Sequence, residues 1–241
     1  MASDMEQFSG FDRDTFLLLA ENKFNDSKTY YESVKDDIKK KAIVPMRNIC
    51  SLLADDLFEI DEQMNLIPVK MVSRIRRDTR RAKNKDMYRA NIWTMFMRNK
   101  YEWNYQPCMW FEIMPGGYTT GIGIFHAEPS HMENFRSVML ENQDEFRKAL
   151  KSVFSVGAVD DVERYSKDKP GDIAADLKPY YNAKSLYFIR YESDMESLFN
   201  GKVLDELRES IRAFAPMYRF LIKVMEKTIA EKGKDYDSYK L

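Results

Sequence analysis

The sequence has little of several things, and each scarcity excludes a class of protein. Two cysteines, Cys50 and Cys108, stand among apolar neighbours with no CxxC spacing. That rules out a disulfide framework and predicts two buried free thiols. Histidine is as rare, with His126 and His131 only. No apolar run approaches the roughly 20 residues that cross a bilayer. The segment Met1 to Ser9 carries acids and no apolar stretch, so it predicts neither a signal nor a transit peptide, and the cytoplasm is the expected compartment. No internal repeat or low-complexity block interrupts the chain.

What the sequence does have is core material and charge. Hydrophobic residues make up 44% of the 241 and aromatic residues 13%, enough for one sizeable core, while 32% charged residues solvate its surface. One α+β domain is predicted over residues 9 to 230, between a flexible N-terminus (1 to 8) and a flexible charged tail (231 to 241).

Periodicity divides the chain. Phe16, Leu17, Leu18, Leu19 and Ala20 behind Asp12 or Asp14 predict a short buried helix. From Asn25 to Ile60, apolar residues at helical spacing predict two helices meeting near Pro45, or one kinked there. After Ser73 the texture changes to aromatic and β-branched runs. Asn91 to Arg98, Cys108 to Met114 and Tyr118 to His126 predict strands in meander order, with Pro115-Gly116-Gly117 as a tight hairpin. Pro129 and Asn142 start two helices expected to cross one sheet face, and Leu186 to Tyr191 predicts a further strand. Val203 to Glu231 predicts a long closing helix interrupted by Pro216. The fold class is therefore a mostly antiparallel sheet packed by several helices, with a helical N-terminal part.

Charge is distributed unevenly. The formal net charge is -1, yet Lys70 to Arg89 holds nine basic residues and two acids, a local +7 on an acidic body. If residues 73 to 81 are extended, Arg74, Arg76, Asp78 and Arg80 share one face, and Ile75, Arg77, Thr79 and Arg81 the other. Asp78 is the obvious partner for a neighbouring arginine. Guanidinium forks match phosphate and carboxylate, so Arg74, Arg77, Asp78, Arg80, Lys83, Lys85 and Arg89 are the candidate anion-binding residues. Against this stands the commoner role of such a run, a solvated edge strand whose charges discourage aggregation.

The run Arg74-Ile75-Arg76-Arg77-Asp78-Thr79-Arg80-Arg81-Ala82-Lys83-Asn84-Lys85-Asp86-Met87-Tyr88-Arg89 resembles the signature RIxRDxRFSKDKxPYK of the domain of unknown function numbered 2461. Arg74, Arg77, Asp78, Arg80, Lys83, Lys85, Tyr88 and Arg89 occupy signature positions. Arg76 and Arg81 replace aromatic residues, Ala82 a serine, Asn84 an aspartate and Met87 a proline. Looser similarity runs through Gly10-Phe11, Thr15-Phe16, Trp110-Phe111, Gly121-Ile122-Gly123 and Pro129 to Arg136. The resemblance brings no activity with it.

Other chemistry-bearing residues are weighed against plain packing. His126, Glu128, His131 and Glu133 form HxExxHxE without the closed ligand set a metal requires, so no metal site is expected. Gly121-Ile122-Gly123 lacks the rest of a phosphate loop and predicts close packing by Trp93 or Trp110. Tyr101, Trp103 and Tyr105 are read as packing before stacking on bases or sugars. Glu112 shares a face with Trp110 and Met114 and is expected to pair with Arg77 or Arg80, or to act as a base. Tyr88, Glu112 and His126 are the candidates for proton transfer.

These residues leave three readings. One is a domain that binds or acts on a phosphorylated metabolite or nucleotide, one a nucleic-acid-binding module, and one a non-catalytic protein-interaction domain. No cofactor is required by the sequence, and no membrane partner is expected.

Overall fold

The computed structural model describes residues 8–81, 83–98, 105–125 and 127–232. Helices α1 (Asp14–Asn25), α2 (Lys28–Ile38), α3 (Val44–Leu52), α4 (Ala54–Ile60) and α5 (Pro68–Met71) come first. Strands β1 (Ile92–Phe96), β2 (Cys108–Met114) and β3 (Gly117–Ile124) follow, then α6 (Pro129–Glu141) and α7 (Gln143–Phe154). The chain continues with β4 (Val159–Asp160), α8 (Lys178–Tyr181), β5 (Leu186–Glu192), α9 (Glu196–Asn200) and α10 (Val203–Lys232).

The expected break near Pro45 takes a specific form. One turn of π-helix, Lys39–Ile43, joins α2 to α3, so the helical path continues through the proline. Proline has no N–H to offer the carbonyl four residues back, which is that of Lys41. The buried Thr15 hydroxyl of α1 donates to that carbonyl at 3.0 Å. A wider turn plus a borrowed donor thus replaces a break.

The sheet is antiparallel throughout, in the order β1-β2-β3-β5-β4. The predicted meander holds, with Met114 opposite Gly117 across a two-residue turn. That turn needs a positive φ at its second position, which Gly116 supplies at 89°. The polar stretch after α7 contains the edge strand β4, which its composition did not announce.

Period-2 alternation gives the sheet two unlike faces. On one, Ile92, Phe96, Phe111, Ile113, Ile122, Ile124 and Phe188 are buried in the core. The helix laid against the central strands is α10, whose Leu207, Ile211, Phe214, Met217, Leu221 and Val224 are all buried. Helices α6 and α7 pack against α10, through Phe135 and Phe146 on Phe220, where two helices crossing the sheet were expected. The closing helix is therefore the central beam of the core. It runs to Lys232, two residues into the expected tail, and at the other end Phe8 is buried beside Phe11. Near Pro216, the Ala213 carbonyl accepts the Ser152 hydroxyl at 2.7 Å.

The other face carries Trp93, Met95, Trp110, Glu112, Gly121, Gly123, Tyr187 and Ile189. Among the described residues the helices leave this face uncovered, and it forms the candidate site. Among the described residues no helix is long and apolar enough to cross a membrane.

Candidate functional site

A groove of about 810 Å3 lies along the uncovered face. Its walls are Trp93, Met95, Trp110, Phe125, Tyr187 and Ile189, with Arg89, Asn91 and Glu112 at one end and Glu163 and Lys184 at the other. Size and lining are those of a small-molecule site, mostly apolar with a few converging polar groups.

The groove exists because two positions of β3 have no side chain. A Cβ on Gly121 would lie 2.2 Å from Cζ2 of Trp110 and 2.4 Å from the Phe188 carbonyl oxygen. Trp110 therefore lies over Gly121, as the glycine pattern suggested. Gly123 serves Tyr187 in the same way, since an added Cβ would meet that residue's Cβ at 2.2 Å.

The basic segment enters the fold as a strapped excursion. Ser73 N–H donates to the Trp93 carbonyl at 2.8 Å, and Arg76 bridges Tyr88, with Arg77 N–H donating to Met87 and Arg89 N–H to Ile75. The returning arm is clamped from α1. Both oxygens are not needed: one Asp26 oxygen, Oδ1, accepts the backbone N–H groups of Met87 (2.8 Å) and Tyr88 (2.9 Å), while Lys23 pairs with Asp86. Tyr88 is only 1% exposed and stacks on Tyr31 with ring centroids 4.8 Å apart. Burial holds its phenol above the usual tyrosine range, and it is not among the groove's lining residues.

Exposure sorts the candidate cations. Arg74, Arg76, Arg80, Arg81, Lys83 and Lys85 are exposed, whereas Arg77 and Arg89 are half-buried. Asp78 pairs with Arg80 at 2.6 Å, the expected local ion pair, but in open solvent, with the Arg80 side chain 86% exposed. The hydrogen bonds from Arg80 hold the Asp78 carboxyl well below the usual range. Lys85 donates to the Thr79 carbonyl at 3.0 Å. Such exposed contacts contribute little to stability.

Arg89 is different. Its guanidinium carbon lies over the Trp93 ring, 4.6 Å from the centroid, and Nη1 donates to the Arg74 carbonyl at 2.9 Å. Among the described residues no carboxylate forms an ion pair with it. Burial, then the nearby Arg77, lowers its pKa, and Glu112 opposes them. It remains cationic, since arginine starts so far above neutrality.

Glu112 stands directly across from Trp93 in the sheet register. Its partner is the Asn91 amide, which donates to Oε1, and not Arg77 or Arg80 as expected. The reason is local: Asn91 enters β1 beside Trp93, while Arg80 lies in the loop beyond the clamp. Thr119, the cross-strand neighbour of Glu112 on β3, is 3% exposed and its hydroxyl has no partner among the described residues. Of the two proton-transfer candidates among the described residues, Tyr88 and Glu112, Glu112 is the one that lines the groove. His126, Tyr101 and Trp103 lie outside the described residues.

The remaining described candidates are engaged in contacts away from the groove. Tyr105 receives a hydrogen bond from Lys232, whose ammonium sits 4.3 Å from its ring centroid, and Lys232 also pairs with Glu128 at 2.6 Å. Glu133 pairs with Lys169 and Arg136. Among the described residues no cluster of potential metal ligands occurs.

His131 is fully buried and its Nδ1 lies 2.8 Å from the Thr228 hydroxyl. That hydroxyl already donates to Val224, so Nδ1 carries the proton and Nε2 is left without a partner among the described residues. A second proton would therefore put an unpartnered charge in the core, and burial pushes the pKa down to about 4. Between that value and the unfolded imidazole's ordinary one the unfolded chain binds more protons, so stability should fall as pH drops from about 6.5 towards 4. The loss attributable to this group should be on the order of 3 kcal/mol. Urea melts of the protein and of His131→Phe at pH 7 and pH 4.5 check this, because a loss of equal size in both would remove His131 as the cause.

The sheet, the uncovered groove and the strapped basic excursion are the setting of the sequence comparison. The family model of the conserved hypothetical proteins DUF2461, a domain of unknown function, matches residues 14–220, and the chain belongs to that family. The match takes in β1 to β3, β5, the excursion and most of α10. No curated protein matches the chain.

Proposed function

We propose that this domain binds a small organic anion, of the class of phosphorylated metabolites and nucleotides, in the groove on the uncovered sheet face. The observation that carries this reading is Arg89, a half-buried guanidinium over Trp93 at the groove's rim with no acid among the described residues paired to it. A cation held over an indole and partly stripped of water is poised for a charge-assisted bond, and with Nη1 turned to the Arg74 carbonyl its other N–H groups can serve an oxyanion. The aromatic walls then suit the flat or apolar body of the ligand.

In this reading the expected anion-binding residues divide in two. Arg89, with Arg77 behind it, holds the anion. Arg74, Arg80, Lys83 and Lys85 contribute a positive field that draws it in, an effect on association rate that salt screens. Thermal unfolding in the presence of organic phosphates tests the proposal. A saturable rise in Tm with a limited set of them is expected. No rise with any of them, together with tight oligonucleotide binding that falls steeply with salt, would instead favour a nucleic-acid module.

A further inference from the structure

The end of the groove where Arg89 stands holds two side chains of opposite hydrogen-bonding character beside one indole. Arg89 stacks on Trp93, and Glu112 faces Trp93 from the neighbouring strand. A guanidinium only donates, and an ionised carboxylate only accepts. Their proximity is also felt electrostatically, since Glu112 counters the lowering of the Arg89 pKa. Yet the two form no ion pair. Arg89 is turned to the Arg74 carbonyl, and Glu112 is held through Oε1 by Asn91, with no donor among the described residues on Oε2.

A simple anion satisfies only half of such a site. Phosphate at Arg89 would meet the like charge of Glu112, and nothing would donate to the carboxylate. A ligand that satisfies both must carry an anionic group and, close to it, a hydroxyl or amino group. We infer that the ligand is a hydroxylated organic phosphate, a sugar phosphate or nucleoside monophosphate, whose phosphate binds Arg89 and whose hydroxyl donates to Glu112. Asn91 is a positioning residue that fixes the carboxylate. The two tryptophans offer the apolar surface on which a sugar ring or base rests.

This inference rests on the anion reading of the groove, and the test separates the two. Affinities of the full chain, of Glu112→Gln and of Arg89→Ala would be measured by calorimetry for inorganic phosphate, phenyl phosphate and adenosine 5′-monophosphate. Phenyl phosphate has a flat face and an anion but no hydroxyl to donate on its ring. Glu112→Gln keeps size and removes charge, so it should bind phosphate and phenyl phosphate as well as the parent or better, and adenosine monophosphate at least fivefold more weakly. Equal changes for phenyl phosphate and adenosine monophosphate would overturn the role of Glu112 while leaving the anion site standing. If Arg89→Ala binds all three probes as the parent does, or the parent binds none, the anion reading itself falls. Asn91→Ala should reproduce the selective loss in weaker form, and a variant that binds adenosine monophosphate normally would remove Asn91 from the positioning role.

Discussion

Arg89→Ala should weaken binding of an organic phosphate by roughly 30- to 100-fold, while Arg81→Ala should change it less than about twofold. The magnitude follows from what is lost: hydrogen bonds to a charged group are worth about 1.5–3 kcal/mol, and Arg89 is half-buried, where the interaction is only partly screened. Arg81 is exposed to solvent and close to other exposed cations, so its removal dilutes a field without deleting a contact. Folding should survive both changes. Arg89 has one hydrogen bond and one stacking contact to lose, neither in the helical core. Isothermal titration with matched urea melts makes the comparison, and the reverse ranking of the two variants would move the site out of the groove and onto the exposed loop.

Gly121→Ala should destabilise the fold by about 3 kcal/mol or more, at the upper end of the cost of overpacking a well-filled interior. The added Cβ has two obstacles of different kinds. The Trp110 ring could swing aside, but the Phe188 carbonyl oxygen 2.4 Å away belongs to the backbone of the adjacent strand and cannot. Relief must come from parting β3 and β5 in the middle of the sheet, and any movement of Trp110 empties or blocks the groove. Denaturant unfolding should show a lower midpoint, and a titration of the surviving folded protein should show weakened ligand binding. A variant as stable as the parent would mean that strand and ring sit further from Gly121 than the structure places them.

The fold was largely written in local patterns. Aromatic and β-branched runs between turn formers located β1, β2, β3 and β5 within a few residues, although β3 is buried along its whole length and carries no period of two. The two-residue β4 has too few residues to carry a period. The π turn before Pro45 could not be read either, since it depends on the Thr15 hydroxyl some 26 positions away in the chain. For the same reason the long last helix looked like a cover: its periodicity reveals an apolar stripe but not which neighbour fills it.

The site was half legible. Charge counting found the segment holding Arg89 and strand alternation found Glu112, yet neither could say that six of the neighbouring cations point into solvent. That division is decided by the Asp26 clamp and by Trp93, both distant in sequence from the residues they sort. The aromatic walls were visible only as hydrophobic strand residues, because alternation predicts two faces without telling which one the helices will cover. A signal was available in the paired glycines of β3, which mark the face where bulk is excluded.

The one-sided covering of the sheet has a calorimetric consequence. Water now reaches the half-buried rings of Trp93, Phe125 and Tyr187, and a ligand seated there must release it. Binding should therefore carry a negative heat-capacity change, visible as an enthalpy that grows more favourable with temperature. An association confined to the outer arginines and lysines would bury little apolar surface and show almost none, so the slope of enthalpy against temperature distinguishes occupancy of the groove from attraction to the charged loop.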